Sequence, residues 1–192
     1  MALLILGLLV FLGVHSLRIV ADPWRTKQLQ RLGEGPWKGL YSLVSIAGFV
    51  LIVWGFGMAR QHPVTVWVPP VAMRHLAALL TLAAFVLLAA AYVPRNAIKA
   101  RLHHPMLLGV KTWAFAHLLA NGRLADLVLF GAFLAWAVAC YIAARKRDRA
   151  AHTQYAAGTA GATAATLILG AGLWAAFAFW LHGALIGLRP FN

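Results

Sequence analysis

Residues 103–122 read HHPMLLGVKTWAFAHLLANG. Whether this stretch crosses a membrane decides the fold, because it is largely apolar yet carries His103, His104, Lys111 and His117. Of the 192 residues in the chain, 62% are hydrophobic and 11% charged, and the mean hydropathy is +0.79. A soluble domain charges about a quarter of its residues to cover its surface, so this chain reads as an integral membrane protein whose first partner is the lipid bilayer. A helical span takes about 20 mostly apolar residues. Five stretches meet that requirement, near 2–20, 38–58, 69–93, 124–144 and 163–186. Residues 105–121 form a sixth candidate, shorter and more polar.

The loop charges bear on that sixth span. If all six segments cross, one side of the membrane holds Arg18, Arg25, Lys27, Arg31, Lys38, Arg95, Lys99, Arg101, Arg145, Lys146, Arg147 and Arg149. The other side holds Arg60, Arg74, Arg123 and Arg189, with Lys111 left inside a span. Twelve against four is a strong positive-inside bias, which marks the first side as cytoplasmic. Without the sixth span, Arg145–Arg149 move away from Arg95–Arg101 and the bias weakens. The sequence therefore predicts an all-α, polytopic protein of about six transmembrane helices in one bundle, a single domain over 1–192. Both termini are expected on the periplasmic side, with loops 21–37, 94–104 and 145–162 in the cytoplasm.

The formal charge of +13 is explained by those loops, and no nucleic-acid partner is expected. The first twenty residues lack a basic leader and a small-residue cleavage site, so they read as a retained span. Cys140 is the single cysteine and lies in an apolar run, which excludes a disulfide framework. Residues 146–162, KRDRAAHTQYAAGTAGA, read as a flexible connection. Gly48, Gly55, Gly131, Gly170 and Gly172 suit close packing between helices.

Ionisable groups inside spans are costly and mark functional sites. The candidates are His15, His75, His104, Lys111, His117 and His182, of which His75 and His182 lie near span ends and suit an interfacial role. On a helical wheel His104 and Lys111 fall within about 20° of each other, and His117 points about 140° from His104 and about 20 Å along the axis. His117 shares its side of the helix with Gly109, Trp113, Ala116 and Ala120. That leaves room for a broad planar group, but the same small residues also suit close approach of another helix, and the wheel does not choose. His15 follows Gly7 and Phe11 on its face and precedes Arg18. An imidazole with a nearby arginine suits haem, whose iron takes histidine and whose propionates pair with arginine. The depths of His15 and His117 differ by roughly 10–15 Å at 1.5 Å per residue.

Other chemistries lack their residues. The four carboxylates, Asp22, Glu34, Asp126 and Asp148, lie in loops or at span ends, so neither a paired-carboxylate mechanism nor a carboxylate-rich metal site is expected. The sequence holds no H-E-x-x-H, Gly-rich phosphate loop, GxSxG or zinc spacing.

The stretch at 103–122, followed by LFGAFLAWA at 129–137, closely resembles the signature of the NnrU family of bacterial membrane proteins. VHSLRIVADPWR (14–25), GEGPWKGLYSLVSIAGF (33–49) and LHGALIGLRPF (181–191) fit the same pattern, so the resemblance covers nearly the whole chain. It implies an inner-membrane protein associated with denitrification, linked to the nitrite and nitric oxide reductase systems. The family is also similar to the zeta-carotene isomerase of plants and cyanobacteria, a membrane protein that uses haem b. Carried over residue by residue, that enzyme's two axial histidines fall on His15 and His117. His104 matches the histidine of its Arg-His-Pro motif, with His103 in place of the arginine. Ala114 stands where the isomerase has a cysteine implicated in ligand exchange.

The resemblance thus implies one haem b between His15 and His117; with it Arg18 is expected near a propionate, Trp113 against the macrocycle, and His104 with Lys111 as supporting groups. For those two groups the expected partners are a propionate, a loop carbonyl or interfacial water. Partners beyond the bilayer would be nitric oxide or a hydrophobic small molecule, and reductase subunits. The alternatives are a haem-dependent cis–trans isomerase of a polyene and a haem-free assembly protein.

Overall fold

Each apolar run becomes a helix of matching length. The computed structural model describes residues 1–191. Its helices are α1 (Ala2–Val20), α2 (Asp22–Leu32), α3 (Glu34–Ala59), α4 (Val71–Tyr92), α5 (Ala97–Leu102), α6 (Pro105–Ala120), α7 (Leu124–Ala150), α8 (Ala160–Ala176) and α9 (His182–Ile186). A π-helical turn, Phe177–Leu181, joins α8 to α9 so that the two continue as one rod. Five of these rods are long and apolar enough to cross a membrane: α1, α3, α4, α7 and Ala160–Ile186. Their outward faces carry exposed apolar side chains, such as Leu43, Val50, Trp54, Ile168 and Trp180. A monomer with that surface needs lipid around it.

α6 has only 16 residues, about 24 Å of rise against a hydrocarbon core of about 30 Å. It nevertheless runs from one end of the bundle to the other. At its start, His104 meets Asp148 near the end of α7. Just beyond its finish, the Gly122 carbonyl accepts from Val66 N–H (2.8 Å), in the loop between α3 and α4. The Val64 carbonyl likewise accepts from Leu124 N–H (2.8 Å), and Arg60 Nη1 donates to the Ile186 carbonyl (2.9 Å). Met1 lies beside Arg60 and Arg123. One end of the bundle therefore gathers the N-terminus, the α3–α4 and α6–α7 loops and the end of α9. The opposite, basic end gathers α2, α5 and the α7–α8 connection. Six rods cross between these ends in alternation, as the basic asymmetry predicts. Reporter fusions after Arg101 and after Arg149 are expected to report the same side. Opposite sides would mean that α6 does not cross.

The helices touch in the order α3, α1, α7, α6, α4, α8. α6 is thus flanked by α7 and α4, so the polar side chains of a short helix can face protein and need not face lipid. Glycines set the closest approaches. A Cβ on Gly7 would lie 2.5 Å from Ile52 N of α3, one on Gly48 2.8 Å from Phe11 N, and one on Gly55 would strike the Leu4 backbone. Gly170 presses α8 against Val86 of α4. Gly131 and Gly172 meet nothing within 4 Å, so they do not serve the packing expected of them.

The basic end is more ordered than its sequence suggests. Asn96, 1% exposed, caps α5 through its Oδ1 and donates from Nδ2 to the carbonyls of Ala90 and Val93. Thr159 caps α8 and donates its backbone N–H to the Arg95 carbonyl (2.8 Å). The 146–162 stretch read as flexible is instead the last turn of α7 followed by a tethered connection. Loop 21–37 holds α2, whose start is set by Pro23 and whose end turns at Gly33 (φ 80°), a conformation that favours glycine. α2 has no buried residue.

Candidate functional site

Both span-borne histidines bond back along their own helices. His15 Nδ1 lies 2.7 Å from the Phe11 carbonyl and His117 Nδ1 lies 2.8 Å from the Trp113 carbonyl. A carbonyl oxygen can only accept, so each Nδ1 carries a proton, and in the neutral ring Nε2 is the nitrogen with the lone pair. That is the arrangement of a metal-ligating histidine, whose other ring N–H is anchored by a carbonyl. Neither Nε2 has a hydrogen-bond partner among the described residues.

Aromatic rings connect the two imidazoles. His117 stacks on Phe130 (centroids 4.5 Å apart, 27°) and lies 5.2 Å from Trp113. Trp113 meets Phe130 and Phe133 edge to face at 5.1 and 5.7 Å. Phe133 reaches Phe11 (5.9 Å), which packs on His15 at 4.3 Å. Trp136 stands edge-on to His15 at 6.1 Å. Phe130, Phe133 and Trp136 recur every third residue along α7, about 4.5 Å of rise per step, and so line the seam from one histidine to the other. These three are site residues that the reading of individual histidines misses. Their signal is present in LFGAFLAWA, as aromatic spacing on the helix that separates α1 from α6.

Gly109, expected on the His117 face, belongs elsewhere. A Cβ there would lie 3.1 Å from the Ala84 carbonyl and Leu88 of α4. The small-residue and imidazole functions therefore divide between two sides of α6: Gly109 admits α4, while Trp113 and His117 face α7.

His15 also borders a cleft of about 620 Å³ between α1, α2 and α3, within the range of small-molecule sites. Val14, Leu17, Leu29 and Trp37 give it apolar walls, and Arg18, Arg25 and Lys38 give it cations. Tyr41 stands edge-on to His15 at 5.3 Å.

His104 occupies the opposite end of α6 from His117. The expected propionate, carbonyl or water is replaced by a carboxylate: Nε2–H donates to Asp148 Oδ2 at 2.7 Å. Tyr155 OH donates to the same oxygen at 2.8 Å. His103 accepts from Arg145 and stacks on Tyr155 (4.3 Å). It is the centre of a γ-turn, φ 68°, closed by His104 N–H donating to the Leu102 carbonyl at 2.8 Å, a conformation strained for histidine. Lys111 lies over the Tyr141 ring (5.2 Å), which also meets His104 edge-on, so these two groups do share a face.

Burial, and then Asp148, pushes the Tyr155 phenol up to about 12 from its ordinary 10.0. A raised value means the tether is fully present below pH 10 and lost as pH rises through about 12. Tyr155→Phe is expected to increase protease nicking of 151–158 severalfold at neutral pH. Unchanged nicking would show that the connection is held without this bond.

A haem can be tested against these residues. The donor chemistry fits: two imidazoles with free Nε2, arginines beside one of them, and aromatic walls along the seam. Trp136 Nε1, beside His15, is buried with no hydrogen-bond partner, an unmet donor that a bound acceptor would satisfy. The cleft, however, includes His15 and not His117, and the path between the imidazoles runs through Phe11, Phe133 and Trp113. Binding to both would need those rings to give way.

The class defined by this fold is an all-helical integral membrane protein with five helices long and apolar enough to span and an imidazole on each of two helices, α1 and α6, that pack on α7. A family model described as NnrU protein matches residues 3–190, and the chain belongs to the NnrU family. No curated protein and no solved structure matches it.

Proposed function

We propose that this chain is a haem b-binding protein of the bacterial inner membrane that supports denitrification, through expression or maturation of the nitrite and nitric oxide reductases. Its basic end faces the cytoplasm and both termini face the periplasm. The observation that carries the haem reading is the fixed tautomer of His15 and His117, each offering Nε2 from a helix packed on α7. Those two residues would hold the iron once Phe11 and Phe133 give way between them, with Arg18 on a propionate and Trp113, itself moved aside, against the macrocycle. Bound haem supplies one-electron chemistry and a site for nitric oxide. The link to denitrification rests on membership of the NnrU family.

His104 is committed to Asp148 and serves the basic end, so His104→Ala is expected to keep a low-spin haem spectrum. Complete loss of haem from that variant, with the protein still folded, would count against this assignment. The decisive measurement is an absorption spectrum of detergent-purified protein, oxidised and then reduced with dithionite. A six-coordinate low-spin haem b spectrum is expected, and the absence of any Soret band would sink the reading. Deletion of the gene is expected to leave cells with impaired nitrite or nitric oxide reduction. Ala114 is fully buried one turn before His117 and offers no thiol for ligand exchange, which disfavours the isomerase alternative.

A further inference from the structure

α2 buries no residue, yet it lies against α1 and α3 and closes one side of the His15 cleft. Its placement comes from the turns at Ala21 and Gly33 and from Trp24, which meets Trp37 edge to face at 6.1 Å. A helix without a core of its own still delivers three side chains to the cleft that a simple loop would not fix, Arg25, Leu29 and Gln30.

The charges around the cleft can be balanced one by one. Lys38 is neutralised by Glu34 at 2.6 Å. Arg18 has no ion pair among the described residues. Arg25 has only a long contact with Asp22, 3.7 Å, and Asp22 does not line the cleft. Two guanidiniums from two different helices thus border an apolar space that has an imidazole in its wall. Guanidinium forks match carboxylates, and a charge-assisted pair beside apolar walls is stronger than one in open water.

We propose that Arg25 is a second carboxylate-binding residue, acting with Arg18, and that the cleft selects a planar apolar molecule bearing two carboxylates over its neutral ester. α2 is then the strap that carries the second arginine. This deepens the haem reading and rests on it for the role of His15, but carboxylate selection needs no iron.

The test therefore uses metal-free probes. Full-length protein, purified in detergent without haem, is titrated with protoporphyrin IX and with its dimethyl ester, and binding is followed by porphyrin fluorescence. The wild type is expected to prefer the diacid by about tenfold. Arg25→Gln should remove most of that preference, and Arg25→Lys should keep part of it by retaining the charge. Equal binding of the two porphyrins to the wild type, no binding of either, or an unchanged ratio in Arg25→Gln would overturn the proposal. A parallel titration with haemin separates it from the iron reading. Diacid selectivity without a low-spin haemin spectrum would uphold the cleft and sink ligation by His15 and His117.

Discussion

Replacing His15 and His117 together by alanine is expected to abolish haem binding while leaving a folded, helical protein. Each single replacement should convert a six-coordinate low-spin spectrum to a five-coordinate or aquo high-spin one, or lose the haem. On the proposed reading the effect is large because His15 and His117 would supply both bonds to iron, and the one other side chain near His15 that could ligate is Tyr41, at 5.3 Å between ring centroids. Trp136 and Phe11 flank His15, Phe130 and Trp113 flank His117, and none of these is a ligand. Truncation also removes an imidazole whose only protein bond is to its own helix, so little of the fold should be lost with it. If the double variant keeps an unchanged low-spin spectrum, the ligands lie elsewhere. His75 and His182 would be the next pair, although His182 Nδ1 is already 2.6 Å from the Leu188 carbonyl.

The second large effect is steric. Gly55→Leu places a side chain where the first carbon alone would strike the Leu4 backbone, and Gly7→Leu does the same against Ile52 and Leu51. Backbone cannot rotate aside as a side chain can, so α1 and α3 must separate. Overpacking costs about 1–3 kcal/mol when side chains can adjust, and about 3 kcal/mol or more is expected here. Gly57→Leu and Gly13→Leu meet nothing within 4 Å and should stay within about 0.5 kcal/mol of the parent. Thermal unfolding in detergent measures both sets. Equal melting temperatures for Gly55→Leu and Gly57→Leu would mean that the α1–α3 seam is looser than described. Because α1 and α3 also wall the cleft, Gly55→Leu should weaken porphyrin binding in the same preparation.

The spans were legible because hydropathy and length act locally, and the twelve basic residues assigned to one side pointed to a crossing at 105–121 before any contact was known. Neighbour relations were not legible in the same way. Nothing in LFGAFLAWA says that α7 stands between α1 and α6, so the ladder of Phe130, Phe133 and Trp136 has no visible purpose until both histidines are in place. Gly109 was assigned to the wrong side because a helical wheel gives an angle and not a neighbour. Asp148 was passed over for a related reason. It looks like one more charge in the KRDR run, and its pairing with His104 spans 44 residues of sequence. Arg18 and Arg25 were each visible as basic residues, but the cleft between them depends on the fold-back of α2 at Ala21.

The order of the helices bears on how the protein is made. α1 and α3 are synthesised early and their glycines let them lock together at once, and α4 and α6 can pair next. α1 and α6 each pack on α7, so the half that carries His15 and the half that carries His117 are joined by a helix that follows both in translation. A chain released after Ala120 would own both imidazoles and have no wall between them. Insertion of α7 therefore places a wedge between the two imidazoles late, with α8, which packs on α4, still to follow. A cofactor that touches both halves meets its complete set of walls only once that wedge is in place.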